Sequence, residues 1–216
     1  MTNDIPLADL RPRLVAAMLP NVSFDGWCAT ARDLAADECA TDRDIAAMAL
    51  PDPAAMVDAY ITRADAMMTD AMIAAGVDKM KIRDRIKLAL HTRLEQAADD
   101  REAVRRALAV LATPSNAPHA TRTLWNTADA MWRAAGDTAT DFNHYSKRLI
   151  LGAVYSASLL YWLDDDSDGH ADTWAFIDRR IDNVMQFEKS KAKALEAFSW
   201  VPNPARFLGR LRYPVV

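Results

Sequence analysis

The sequence predicts an all-α protein, a bundle of about ten helices, on three observations. Helix-compatible residues dominate: six Gly occur in 216 residues beside ten Met and abundant Ala, and runs of Val, Ile and Thr are absent, a composition that resists helix formation least. Apolar residues recur at helical spacing rather than in alternation. Asp137 to Leu163 moves from a polar start into fifteen residues, Leu149 to Leu163, without one charge, too short for a bilayer span of about 20 apolar residues. That stretch reads as a helix buried on nearly every side. The length fits one large domain with parts at 1–50, 51–197 and 198–216.

The elements follow in order. Leu7 to Leu19 forms a first helix, interrupted by Pro12 and closed by Pro20 and Asn21. Asp25 caps a second, Gly26 to Cys39, with Trp27, Ala31, Leu34 and Ala35 on its apolar side. Thr41 or Asp42 caps a short third helix ending near Leu50. Pro51 and Pro53 separate it from a long fourth, Ala54 to about Ala75, which carries Met56, Tyr60, Met67, Met68, Ala71 and Met72 along one side. Met adapts to irregular apolar surroundings, as core filler or as the wall of a ligand site. A fifth helix from Asp78 buries Met80, Ile82, Ile86, Leu90 and Leu94 and exposes Lys79, Arg83 and Lys87. A sixth runs from Arg101 to Leu111 and stops at Pro114. The seventh, Pro118 to Ala135, has Leu124, Trp125, Ala128, Met131 and Trp132 as its buried stripe, with Gly136 closing it. Thr138 and Asp141 have capping-box spacing for the eighth. Gly152, Ala153, Ser156 and Ala157 put small side chains on one face of that helix, where a second helix or subunit can approach closely. The ninth runs from His170 to about Ala197.

The tail from Phe198 to Tyr213 gathers Pro204, Phe207, Leu208 and Leu211 on one side of a helical wheel, with Arg206 and Arg210 opposite and Trp200 and Tyr213 at the ends. This is the pattern of a helix lying in a membrane interface; packing back on its own domain is the alternative. Charge runs the same way. Met1 to Tyr60 holds four basic and ten acidic residues, whereas Lys189 to Val216 holds six basic and one acidic. An acidic front end disfavours DNA, and a basic aromatic tail favours an anionic membrane. Cys28 and Cys39, eleven residues apart on one helix, stand roughly 16 Å from each other at 1.5 Å per residue, too far for a disulfide. They read as reduced core thiols of a cytoplasmic protein associated peripherally with the inner membrane, and no signal peptide is visible.

No catalytic constellation emerges, so the chain reads as a non-enzyme. Asp164 to Gly169 matches the first half of a calcium loop, but the twelfth position is Ala175 rather than Glu. An acidic loop capping the ninth helix is the expectation. His91, His119, His144 and His170 form neither H-E-x-x-H nor paired E-x-x-H motifs, and no metal site is expected. There is no phosphate loop, dinucleotide fingerprint or G-x-S-x-G.

Three short helices followed by a long one is the layout of TetR-type repressors, which makes a ligand-responsive regulator the alternative reading. The third helix reads Thr41-Asp42-Arg43-Asp44-Ile45-Ala46-Ala47-Met48. It would hold two carboxylates near phosphate, so DNA is an unlikely partner.

The segments AGDTATDFNHYSKR and DTWAFIDRRIDNVM resemble the Coq-nine family of ubiquinone-biosynthesis lipid-binding proteins, and the similarity extends over most of the chain. The resemblance implies a TetR-like homodimer that holds a lipid or isoprenoid quinone intermediate, with no other cofactor. It implies a protein that sits on the membrane through its last helix and serves the demethoxyubiquinone hydroxylase, Coq-seven. Carried over by motif, the hydroxylase-facing residues are Asp129, Met131, Trp132, Asp141, Asn143, His144 and Tyr145; the family's commoner Trp is His144 here. The lipid is expected against Met67, Met72, Trp125, Met131, Leu149, Tyr155, Leu159, Phe176 and Ile181, and the membrane against Trp200, Arg206, Phe207, Leu208, Arg210 and Leu211.

Overall fold

The computed structural model describes residues 5–138 and 142–198, with the backbone alone for residues 142–143 and 187–198. Among them are nine α-helices: α1 (Leu7–Asp25), α2 (Ala29–Glu38), α3 (Arg43–Ala49), α4 (Pro53–Ala74), α5 (Ile82–Glu95), α6 (Arg101–Leu111), α7 (Ala117–Ala134), α8 (Phe142–Leu163) and α9 (Ala171–Phe198). The chain divides into two compact units, residues 1–177 and 178–216. The boundary falls inside α9, and α1–α3 share the first unit with α4–α8. The expected terminal helix, with Trp200, Arg206, Phe207, Leu208, Arg210 and Leu211, lies outside the described residues, as does the cap Asp141. No helix among the described residues is long and apolar enough to cross a membrane.

Helix α1 does not stop at Pro20. It runs on to Asp25 with Pro12 and Pro20 inside it, because Leu10, Leu14, Val15, Met18 and Val22 lie on its buried face on both sides of Pro20. Burial of that stripe outweighs the backbone hydrogen bonds that proline removes. Gly26, at φ 80°, ends the helix in a conformation that disfavours side chains. Trp27 therefore precedes α2 rather than lying in it. It is buried, donates its indole N–H to the Ala103 carbonyl at 3.0 Å and packs its ring 5.3 Å from that of Tyr60, tying the front of the chain to α6 and α4. Leu34, expected inside, is 44 % exposed, as is Ile82 at 46 %. Cys28 and Cys39 flank α2, both free and partly exposed rather than buried.

Asp25, expected to cap the second helix, is instead the last residue of α1, and Cys28 stands before α2 without a side-chain cap bond; the two helices after it start at aspartates. Asp42 accepts from the Asp44 amide at 2.7 Å and Asp52 from the Ala55 amide at 2.8 Å, which fixes the starts of α3 and α4. At the other end of α7, Gly136 takes φ 85°. A Cβ there would stand 2.9 Å from Arg85 Nη1, the atom that donates to the Ala135 carbonyl at 2.9 Å. The glycine is needed both for its backbone angle and for the space the guanidinium occupies.

Helix α8 ends against α6. Arg101 Nη2 donates to the carbonyls of Trp162, Leu163 and Asp165 at 2.8–3.0 Å, and Arg105 Nη2 to Leu163 at 2.9 Å, satisfying carbonyls that a helix end leaves open. The acidic loop that follows caps α9 through a buried member, Asp165. One of its oxygens accepts from the Ser167 amide at 2.9 Å, the other from the Thr173 amide at 2.9 Å and the Thr173 hydroxyl at 2.5 Å. Against the cost of desolvation, the Ser167 and Thr173 hydrogen bonds hold its carboxyl well below the ordinary value.

Asp165→Asn places an N–H₂ where donors converge and should destabilise the protein by about 1–3 kcal/mol at neutral pH. A carboxyl depressed in the fold contributes stability that is complete above the unfolded value of 3.8 and lost as pH falls through the lower folded value. In urea unfolding at stepped pH, the gap between wild type and variant should therefore be widest at pH 7 and narrow below pH 3.8; a constant gap would refute the role.

Candidate functional site

Helices α4–α8 enclose a cavity of about 400 Å³. Its wall comprises Tyr60 and Ile61 of α4, Arg93 and Leu94 of α5, Ala97 between α5 and α6, Val104, Ala107, Leu108 and Leu111 of α6, Ala112 just after it, Ala120, Thr123, Leu124 and Thr127 of α7, and Tyr155, Ser156, Leu159 and Leu160 of α8. The space exists where side chains are small: Ala97, Ala107, Ala112, Ala120 and Ser156 face it between bulkier neighbours. Ala112 and Leu160 are exposed, whereas Tyr60, Arg93, Leu94, Thr127 and Tyr155 are buried. The cavity thus runs from an apolar mouth to a floor that contains a charge.

That charge is Arg93, 3 % exposed. Its Nε donates to Asp65 Oδ1 at 3.0 Å, and Thr127 donates its hydroxyl to Asp65 Oδ2 at 2.8 Å. One carboxylate thereby joins α4, α5 and α7, with both oxygens engaged. Burial raises the Asp65 carboxyl, with Arg93 and Thr127 opposing it. Burial opposes the Arg93 charge, yet Tyr155, Asp65 and Tyr60 together hold its pKa above the ordinary value. Burial pushes the Tyr60 phenol up to about 12 and the Tyr155 phenol up as well, so both stay protonated and able to donate.

Of the residues expected to meet lipid, Tyr155 and Leu159 line this cavity. The others lie elsewhere. Met67 is 36 % and Leu149 66 % exposed, so neither reaches the interior. Met72 and Met131 are fully buried core residues that do not line the space. Trp125 joins a surface aromatic cluster, Phe176 stacks on Tyr161 at 4.6 Å, and Ile181 belongs to the second unit. Arg93, Asp65 and Thr127 were not singled out from sequence, although Arg93 falls in register with Ile86, Ala89 and Leu90 on the buried face of α5.

The second locus joins the end of α7 to the start of α8. Arg148, 2 % exposed at its side chain, bonds Asp129 through Nε at 2.5 Å and Asp137 through Nη1 at 3.2 Å. Lys147 Nζ reaches Asp137 at 2.6 Å. Desolvation notwithstanding, the hydrogen bonds from Lys147 and Arg148 hold the Asp137 carboxyl below its usual value. Trp132 donates its indole N–H to the Lys147 carbonyl at 3.0 Å beneath the Lys147 ammonium, 5.2 Å from its ring. Asp129 and Trp132 of the expected hydroxylase-facing set therefore clasp two helices together, and Met131, fully buried, points away from any surface. His144 and Tyr145 gather with Trp125, their ring centroids 6.2 and 5.9 Å from the indole and 5.2 Å from each other. Asp141 and the Asn143 side chain lie outside the described residues. Tyr145 is 58 % exposed, and Leu149, Ala153 and Leu160 continue an exposed apolar face along α8. This corrects the expectation that α8 is buried on nearly every side: within the single chain one face is open.

Helix α3 carries one cation, Arg43. It is paired with Asp37 through Nε at 3.0 Å and Nη2 at 2.6 Å, while Asp44, Ile45 and Met48 are exposed.

Comparison with known proteins shows the expected resemblance. Residues 117–188 match the sequence profile of the COQ9 family. The ubiquinone biosynthesis protein COQ9, mitochondrial, of Homo sapiens is 30 % identical over 82 % of this chain and 58 % of its own length. The probable ubiquinone biosynthesis protein coq9, mitochondrial, of Dictyostelium discoideum is 31 % identical over 62 % of this chain and 43 % of its own. The chain thus spans about half the length of these relatives. A TetR transcriptional regulator from Nitrosomonas europaea ATCC 19718 superposes with a TM-score of 0.64 at 19 % identity, over 80 % of this chain and 95 % of that one. The fold is TetR-like, as the order of helices implied; at that identity the likeness is one of fold alone.

Removing Arg148 leaves two part-buried carboxylates without their shared partner. Arg148→Met should destabilise the protein by about 3 kcal/mol in urea unfolding, whereas Arg133→Ala, which removes an exposed ion pair to Asp129, should change it by less than about 0.5 kcal/mol. Equal effects would contradict the clasp.

Proposed function

We propose, from the premise that this chain is a relative of the COQ9 family, that it is an accessory protein of ubiquinone biosynthesis. In this reading it holds a lipid or isoprenoid quinone intermediate between α4 and α8 and offers it to the demethoxyubiquinone hydroxylase. The observation that carries the reading is the cavity of about 400 Å³, walled almost wholly by aliphatic and aromatic groups, within the size of small-molecule sites. At roughly 30 Å³ per water-sized group, it takes a headgroup and the start of a chain. The rest of a long isoprenoid leaves past Leu160 along the exposed face of α8, where a second subunit of a homodimer would cover it. His144 and Tyr145, beside Trp125, are the hydroxylase-facing residues that remain accessible. Residues 198–216 supply the membrane contact, placing the protein peripherally at the inner membrane from the cytoplasmic side. No catalytic step is assigned to the chain itself. The alternative, a ligand-responsive regulator, draws on the shared fold; the pairing of Arg43 with Asp37 favours the lipid reading.

Organic extraction of the purified protein followed by mass spectrometry should recover an isoprenoid or other lipid well above background. Ala107→Trp, which fills the cavity from α6, should lower that yield several-fold without unfolding the protein; recovery of no lipid from the wild type would end the proposal. Deleting residues 198–216 should greatly reduce co-sedimentation with anionic liposomes while leaving lipid content unchanged, and undiminished sedimentation would remove the membrane contact from the account.

A further inference from the structure

We propose that Arg93 is a recognition group for the head of the bound molecule, and that this head is a neutral oxygen acceptor of the carbonyl class. The inference rests on the cavity being the ligand site, as proposed above, and adds what the site selects.

An apolar cavity needs no guanidinium to hold hydrocarbon. A buried ion pair is weak grounds for stability, since apolar groups of similar volume in its place are often neutral or better. Arg93 nevertheless forms part of the cavity wall together with Tyr60 and Tyr155, at the end away from the mouth. Asp65 takes the N–H of Nε and Tyr60 hydrogen-bonds with the guanidinium as well, two of the partners that its five N–H groups can serve. The wall at this end therefore brings donors of one cation and two phenols to a space bounded otherwise by aliphatic side chains.

The sign of the head follows from the charge count. Asp65 already balances Arg93, and its two oxygens are engaged by Arg93 and Thr127. A carboxylate head would bring an unmatched negative charge into a nearly apolar site, and an ammonium head would face a cation. A hydrocarbon end would add no acceptor to the partners these donors already have in Asp65 and Tyr60. A carbonyl oxygen accepts from them and adds no charge.

The test uses three probes of one chain length, undecan-2-one, undecane and undecanoate, competing against the neutral dye N-phenyl-1-naphthylamine on the delipidated full-length protein. Undecan-2-one should displace the dye about tenfold more effectively than undecane, the worth of one net hydrogen bond to a charged donor, and more effectively than undecanoate. Arg93→Met alone strands Asp65, so the decisive variant is Arg93→Met with Asp65→Leu, which removes the pair together. In it the ketone and alkane should become equal within about twofold while undecane affinity is kept, a result a purely structural role would not produce. Equal affinity for ketone and alkane in the wild type, or a ketone preference that survives in the double variant, would overturn the role of Arg93 and leave the cavity reading standing. Preference for undecanoate would overturn the neutral head. Failure of all three probes to displace the dye would overturn the cavity reading itself, and this inference with it.

Discussion

The interaction on which the rest of this bundle turns is the contact of Arg93 with Asp65, completed by Thr127. It places a paired charge where α4, α5 and α7 meet, in a neighbourhood otherwise built from Met, Leu, Ala and Tyr. Such a pair fixes geometry more than it adds stability. The carboxylate accepts from two other helices at once, so a shift of any one of them along its axis would leave a buried group unmatched. The same constraint gives the cavity its floor. Around it the walls can be made of small residues, because the position of the helices is held from below and from the ends, where Arg101 and Arg105 close α8 and Arg85 closes α7.

Much of the fold was legible from the order of capping residues and breakers. Asp42, Pro53 and Gly136 mark element ends where local chemistry decides, and the structure places the boundaries within a residue or two of them. Pro20 was misleading for the same reason that Trp27 was only half understood: both are settled by what lies across the core. Val22 carries α1 past a proline, and the Ala103 carbonyl draws the Trp27 indole out of α2. No local pattern reports either.

The site was harder to read, because a cavity is made by what is missing. Met67, Met72 and Met131 are large and adaptable and therefore drew attention, yet two of them fill the core and one lies at the surface. The space opens beside Ala107, Ala120 and Ser156, which in sequence look like ordinary helix formers. Leu149 shows the complementary difficulty. An uncharged run signals burial, but the burial of one face of α8 is not provided by the chain's own described residues. Arg93 was visible only in register: a cation three residues beyond Leu90 and seven beyond Ile86 sits on the apolar side of its helix, and a charge there asks for a partner such as Asp65, itself set among Ala64 and Met68.

In this TetR-like fold the proposed division of labour leaves the front three helices at the bundle's edge and gives ligand binding to the later helices that line the cavity. The most direct test of this division is a crystal structure of the lipid-loaded protein. The account predicts continuous density filling the space between α4 and α8, its polar end within hydrogen-bonding distance of Arg93 and its tail leaving past Leu160. Ligand density lying elsewhere, with that space empty or holding only water, would contradict it.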